Sequence, residues 1–147
     1  MVKNIYGVIP AASRATRLAP LPFNKALFPI GLQEYKSGSE FFLRPKMVGQ
    51  YIFENFKSAG IKHIFVIIGE GSDAFVNYFG NGNRFGVEIA YLFQDNHKGI
   101  PFALDLANPW LPKDATILFG MPDTIVQPND AFVHLLSEHT KSQQFSI

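Results

Sequence analysis

"MVGQYIFENFKSAGIKHIFVIIG", Met47 to Gly69, carries two different periodicities on either side of a glycine. Before it, Met47, Tyr51, Ile52, Phe56 and Ala59 recur at helical spacing on or near one face, and Gly60 stands where a helix needs a left-handed C′ residue. After it, His63–Ile68 ("HIFVII") is an almost unbroken apolar run rich in β-branched residues, which predicts a strand buried on both faces. A helix feeding a doubly buried strand is the building unit of parallel sheets, because parallel strands need crossover connections.

The same alternation extends in both directions. Ile5–Pro10 ("IYGVIP"), Val87–Phe93 ("VEIAYLF") and Thr116–Phe119 ("TILF") read as further short strands, the last also apolar enough to be buried on both faces. Ser72 is placed to cap a helix carrying Phe75, Val76 and Phe79, and Asp130 to cap one carrying Phe132, Val133, Leu135 and Leu136. The expected fold is therefore α/β: a Rossmann-like, mostly parallel sheet with helices on both faces. The final "QQFSI" reads as the start of another strand, so the expectation for residues 1–147 is the N-terminal portion of a larger domain.

With 147 residues and 47% hydrophobic content, the chain can bury one core. Its net charge of +1 draws it neither to nucleic acid nor to an anionic membrane, and no run approaches the roughly 20 apolar residues of a membrane span. The chain has no cysteine, so disulfides, thiolate catalysis and cysteine-ligated metal centres are excluded; a cytoplasmic location fits. The four histidines form no zinc pair at helical spacing, and the G-x-S-x-G and P-loop patterns are absent.

Charge is distributed unevenly. From Met1 to Gln33 the ionic side chains are Lys3, Arg14, Arg17 and Lys25 with no acid, so this segment is +4 and the remainder −3. The loop after the first strand, with small residues Ala11, Ala12, Ser13 and Ala15 beside Arg14 and Arg17, suits a polyphosphate held by backbone N–H groups and cations. A solvated basic loop is the alternative. Asp123, in "GMPD" after the fourth strand, is either a turn acid or a ligand for a hard cation. Ligand sites of parallel sheets gather beyond the carboxyl ends of the strands, so the basic loop and Asp123 are expected to meet. Gly69, Gly71 and Ala74 form a competing G-x-G-x-x-A dinucleotide fingerprint, with Asp95 beyond the next strand.

Taken together, "ASRATRL" (Ala12 to Leu18), "PLPFNKALFPI" (Pro20 to Ile30), "PKMVGQYIFENFKSAGIKHIFVIIG", "YFGNGNRFGVEIAYLFQ", "KGIPFAL" and "LFGMPD" resemble, in order and spacing, the motifs of sugar-phosphate nucleotidyltransferases. The resemblance implies transfer of a nucleoside monophosphate from a nucleoside triphosphate to a sugar 1-phosphate, with Mg²⁺ as cofactor and release of pyrophosphate. It assigns Arg17 and Lys25 to catalysis and Asp123 to the metal. Ala11, Ala12, Ser13, Arg14 and Ala15 would line the nucleotide, and Gln94 and Gly99 would face the base. The partners it implies are the two substrates, with self-association open and no nucleic acid or membrane. The sequence departs from the family pattern at Ser13 and Ala15, where the signature has glycines, and at Asn24, where proline precedes the lysine. The family's second acidic metal ligand and its sugar-binding groups lie further along the fold. A module of the same fold that binds nucleotide or sugar phosphate without turnover is the alternative from another class.

Overall fold

In the computed structural model, which describes residues 4–13, 18, 20–96 and 98–142, the elements follow in the order β1 (Ile5–Pro10), β2 (Pro29–Ser37), β3 (Glu40–Met47), α1 (Val48–Ser58), β4 (His63–Ile68), α2 (Asp73–Phe79), β5 (Glu88–Phe93), α3 (Ile100–Asp105), β6 (Thr116–Phe119) and α4 (Ala131–Ser142). Residues 143–147, including the expected terminal strand, lie outside the described residues.

The four strands anticipated from the sequence form one parallel sheet, ordered β5-β4-β1-β6. Val8 lies beside Phe65 on one side and Phe119 on the other. Alternation along these strands divides the apolar residues between two faces. Ile9, Ile64, Val66 and Leu118 pack with Ile52, Phe53 and Phe56 of α1, Phe75 and Phe79 of α2, and Phe132 of α4. Val8 and Ile67 face the other way, onto Ala103 and Ala107. Helices therefore cover both faces of the inner strands β1 and β4, but β6, expected to be buried on both faces, lies at the sheet edge with Leu118 buried and Ile117 and Phe119 on the other face exposed.

The larger core is aromatic. Phe79 lies 4.8 Å from Phe53 and 4.5 Å from Phe75, ring centre to ring centre, and Phe56 meets Phe132 edge-on at 5.4 Å. Truncating a buried phenylalanine of this kind to alanine costs about 3–5 kcal/mol through lost transfer energy and the cavity left behind.

α1 is bounded by local chemistry. The Gln50 side chain accepts from the Met47 backbone N–H at 2.9 Å, closing the first turn. At the other end Gly60 has φ +79°, and the N–H groups of Gly60 and Ile61 donate to the carbonyls of Lys57 and Phe56, a Schellman closure. The buried face differs from the one anticipated. Tyr51 is only half-buried, whereas Phe53 is fully buried, because α2 and the turn at Asn83–Phe85 widen the covered arc.

One further expectation is corrected, and one element was not anticipated. Ser72 stands at the N-cap of α2, but its hydroxyl accepts from Gly69 N–H at 3.2 Å and makes no cap hydrogen bond. The stretch from Pro29 to Met47, to which the sequence assigns no element, is an antiparallel hairpin turning at Gly38–Ser39, with Gly38 at φ +62°. Most of it projects from the body with both faces toward solvent, so it lacks the period-2 burial pattern that betrays a strand.

Candidate functional site

Strand order fixes where a ligand can enter. From β1 the chain moves to β4 and β5 on one side, and then returns to place β6 on the other. The loops leaving β1 and β6 thus diverge at their carboxyl ends, opening a crevice at the switch point of the sheet. The basic loop and Asp123 both leave from this crevice.

Lys25 and Asp123 meet there. Lys25 Nζ lies 2.5 Å from Asp123 Oδ2, with the two side chains 20% and 25% exposed. Asp123 sits in the turn after β6, in which Thr124 N–H reaches the Met121 carbonyl at 3.4 Å. Close packing at Gly120 supports this turn: a β-carbon there would come within 2.5 Å of Ile52 Cδ1. The second carboxylate oxygen, Oδ1, is buried and has no hydrogen-bond partner among the described residues. An ionised oxygen buried without a donor is costly, which makes it the natural acceptor for a bound cation.

Lys25 owes its position to two neighbours. Asn24 donates from Nδ2 to the Ala11 carbonyl at 3.1 Å and accepts at Oδ1 from Ala26 N–H at 3.0 Å. One amide therefore ties the loop after β1 to the short turn Lys25–Leu27. Its backbone, at φ −62° and ψ 132°, is the conformation a proline would impose, so asparagine fulfils proline's conformational role and adds two hydrogen bonds. Beneath the turn, Gly49 at the start of α1 leaves room for Ala26; a β-carbon at Gly49 would lie 3.2 Å from Ala26 Cβ and 2.9 Å from the Phe79 ring.

On the β4 side of the same loop is a cavity of about 310 Å³, lined by Ala11, Ala12, Ser13, the segment Leu21–Asn24, Glu70, Gly71 and Ser72. Three of the residues assigned to the nucleotide from sequence, Ala11, Ala12 and Ser13, thus share one wall. Ala11 and Ala12 are buried, and Ala11 N–H bonds the Ile67 carbonyl at 2.7 Å, continuing the sheet by one residue. Gln94 is buried at the end of β5, and Gly99, at φ +96°, precedes α3; neither lines this cavity. Arg14, Ala15 and Arg17 lie outside the described residues.

Sequence reasoning missed Asn24 as a positioning residue, treating it only as a departure from proline. It also missed Glu70 and Ser72 as cavity walls. In the competing fingerprint, Gly69 N–H is engaged by Ser72 Oγ at 3.2 Å, and Gly71 has φ +78°. Among the described residues, no group of three or more His, Asp and Glu gathers to hold a metal, and no helix is long and apolar enough to cross a membrane.

Known proteins sharpen the picture. A low-salt glycan biosynthesis nucleotidyltransferase of Haloferax volcanii is 30% identical over 116 residues, covering 77% of this chain and 29% of that protein. A glucose-1-phosphate thymidylyltransferase of Streptomyces griseus is 25% identical over 114 residues, covering 76% and 28% respectively. Among solved structures, a Bacillus anthracis protein assigned as a glucose-1-phosphate thymidylyltransferase, in complex with sucrose, superposes with a TM-score of 0.78 at 24% identity, covering 95% of this chain and 52% of that one. A UDP-glucose pyrophosphorylase complexed with UDP-glucose gives 0.72 at 18% identity, covering 95% and 54%. The chain therefore spans under a third of the curated relatives and about half of the solved ones. The pattern of the family described as nucleotidyl transferase matches residues 6–147, so nearly the whole chain, crevice included, belongs to the nucleotidyl transferase family.

Proposed function

We propose that this chain forms the nucleotide-binding part of a sugar-1-phosphate nucleotidylyltransferase, drawing a nucleoside triphosphate and a sugar 1-phosphate from the cytoplasm. The observation that carries this reading is the Lys25–Asp123 pair at the switch point of the sheet, with one carboxylate oxygen left without a donor among the described residues.

In the reaction, a phosphate oxygen of the sugar 1-phosphate attacks the α-phosphorus of the triphosphate. The bond from that phosphorus to the α,β-bridging oxygen breaks, and pyrophosphate leaves. The nucleophile is already an anion at neutral pH, so no side chain has to remove a proton. The protein's task is alignment and charge neutralisation.

Lys25 supplies a mobile point charge to the phosphates near the reacting centre. Arg17, with Arg14 beside it, takes the β- and γ-phosphates and stabilises the departing pyrophosphate. The wall of Ala11, Ala12, Ser13 and Ala15 admits the nucleotide closely, because small side chains leave the backbone accessible. Gln94 and Gly99 contact the base.

Asp123 Oδ1 fits a magnesium ion, a hard cation that favours carboxylate oxygen and completes its shell with waters and phosphate oxygens. When bound, the ion supplies further neutralisation of phosphate charge. Asp123 also steadies Lys25 through Oδ2, so one carboxylate orients both positive groups.

Calorimetric titration with each nucleoside triphosphate in Mg²⁺, followed by a pyrophosphate-release assay with sugar 1-phosphate, tests the reading. Triphosphate binding with release on adding sugar phosphate supports transfer; binding without release assigns the chain to a non-turnover module; no triphosphate binding overturns both.

A further inference from the structure

The hairpin of β2 and β3 is not accounted for by nucleotide chemistry. Its outer strand β3 runs Glu40-Phe41-Phe42-Leu43-Arg44 through solvent, with Phe41, Phe42 and Leu43 exposed by 66%, 45% and 67%. β3 pairs only with β2 among the described residues. Three consecutive exposed apolar residues on such an edge leave both side chains and backbone groups open to water, a template for pairing with another strand. Natural edges are blunted by charge or proline; β3 has both at Glu40 and at Arg44–Lys46, but Phe41–Leu43 between them carry neither.

Register determines which partner fits. Ser37 pairs with Glu40 around the two-residue turn, Tyr35 with Phe42 and Gln33 with Arg44. Antiparallel ladders alternate, so Phe41 and Leu43 direct their N–H and C=O groups outward from β2. Pro45 falls in the same outward series, where its missing N–H breaks no bond within the hairpin.

We infer that the β3 edge pairs antiparallel with β3 of a second copy of this chain, on a two-fold axis through Phe42. In that register Phe41 lies opposite Leu43 of the other copy, joined through the outward backbone groups of both. Glu40 lies opposite Arg44 of the other copy, and each pair occurs twice. The strand is thus complementary to itself in charge and in apolar character. Neither Glu40 nor Arg44 has an ion-pair partner among the described residues; Arg44 stacks on Tyr35 at 3.7 Å, which holds its guanidinium over the hairpin face it shares with Glu40. The β2 edge is a poorer surface, since Glu34, Tyr35 and Lys36, which pair with Leu43, Phe42 and Phe41, include two charges.

An edge contact of this size gives a weak, concentration-dependent dimer. Sedimentation equilibrium of the 147-residue chain is expected to show a monomer–dimer equilibrium. Glu40→Arg and Arg44→Glu, each placing like charges opposite one another twice, weaken self-association at least about tenfold. An equimolar mixture of the two variants restores a dimer, because one chain then presents guanidinium groups at both of these positions and the other presents carboxylates at both. Far-UV circular dichroism verifies that each variant keeps its fold, and Phe42→Cys provides a second readout. The natural chain has no cysteine, so rapid oxidative cross-linking at Phe42→Cys, absent at Lys113→Cys, places the axis. A chain that stays monomeric, variants that associate like the parent, or a mixture that fails to recover the dimer overturns the inference.

Discussion

Lys25 and Asp123 come from loops after the first and last strands of the sheet and meet at 2.5 Å between Nζ and Oδ2. An exchangeable pair of this kind is worth about 1 kcal/mol or less to stability, because both groups retain contact with water. In the function proposed above, its value lies in holding a cation ready for phosphate. Lys25→Ala is expected to weaken triphosphate binding about tenfold or more, as loss of a charge-assisted contact does. The melting temperature moves by only a few degrees. Calorimetry and a thermal melt read the two effects separately, and Lys25→Arg recovers part of the affinity but not the geometry.

Asp123 makes the opposite kind of statement. Oδ1 is buried without a donor among the described residues, an arrangement that costs about 1–3 kcal/mol. Asp123→Ala removes that penalty together with the ion pair but leaves Lys25, 20% exposed, without its counter-charge, so the two effects offset and the melting temperature changes little. The gain in triphosphate affinity that Mg²⁺ brings to the parent protein disappears in the variant. Titrations with and without Mg²⁺ check this, and an undiminished Mg²⁺ effect would remove Asp123 from the metal assignment.

Asn24 bridges Ala11 and Ala26 through a single amide. Asn24→Ala should cost about 1–2 kcal/mol in urea unfolding, in the range of a lost cap, and should lower triphosphate affinity by freeing the Lys25 turn. Asn24→Asp keeps the acceptor for Ala26 N–H but loses the donor to the Ala11 carbonyl, so it falls between parent and alanine in both measurements.

Gly49 tests the packing under that turn. Its added methyl would meet the Ala26 carbonyl oxygen at 3.0 Å and the Phe79 ring at 2.9 Å. The helix propensity gained by Gly49→Ala is at most about 1 kcal/mol, while overpacking costs about 1–3 kcal/mol. Net destabilisation is expected, read as a lowered urea midpoint; an unchanged or raised midpoint would show that the turn yields freely.

Tyr91 provides a test of alkaline behaviour. Burial pushes its phenol up to about 12 from an ordinary value of 10.0, and its hydroxyl donates to the Gly80 carbonyl at 2.7 Å. The unfolded chain therefore releases this proton first. Stability is fully present below pH 10 and declines as pH rises toward about 12. Tyr91→Phe should flatten that decline, leaving a smaller one from Tyr78, whose phenol burial also raises. Denaturant midpoints measured from neutral pH to pH 12 follow the slope.

The parallel sheet was legible because its inner strands are buried on both faces, and double burial writes unbroken apolar runs such as His63–Ile68; the edge strand β6 is apolar too but leaves Ile117 and Phe119 exposed. Gly60 marked the end of α1 for an equally local reason, the positive φ of a Schellman turn. The meeting of Lys25 with Asp123 followed from topology alone, since both segments leave the carboxyl edge of the sheet. What escaped was decided by tertiary surroundings. Phe53 is buried only because α2 wraps further round α1 than a single stripe suggests. The hairpin escaped because strands wet on both faces carry no periodic signature. Asn24 escaped because its two hydrogen bonds join backbone groups on either side of a bend, and spacing does not reveal that bend. The Arg17 assignment stays with the family pattern, its segment lying outside the described residues.

The crevice is created by the pairing of β1 with β6, so it joins the earliest part of the chain to a late one; the bond from Asn4 to Asp114 closes 110 positions. During synthesis, a nascent chain that has already docked β4 and β5 against β1 still lacks Asp123, the partner of Lys25. Under the function proposed above, the completed site, and with it the full stabilisation by nucleotide, arises after residue 123 has emerged from the ribosome, making ligand a late guarantor of folding rather than its seed.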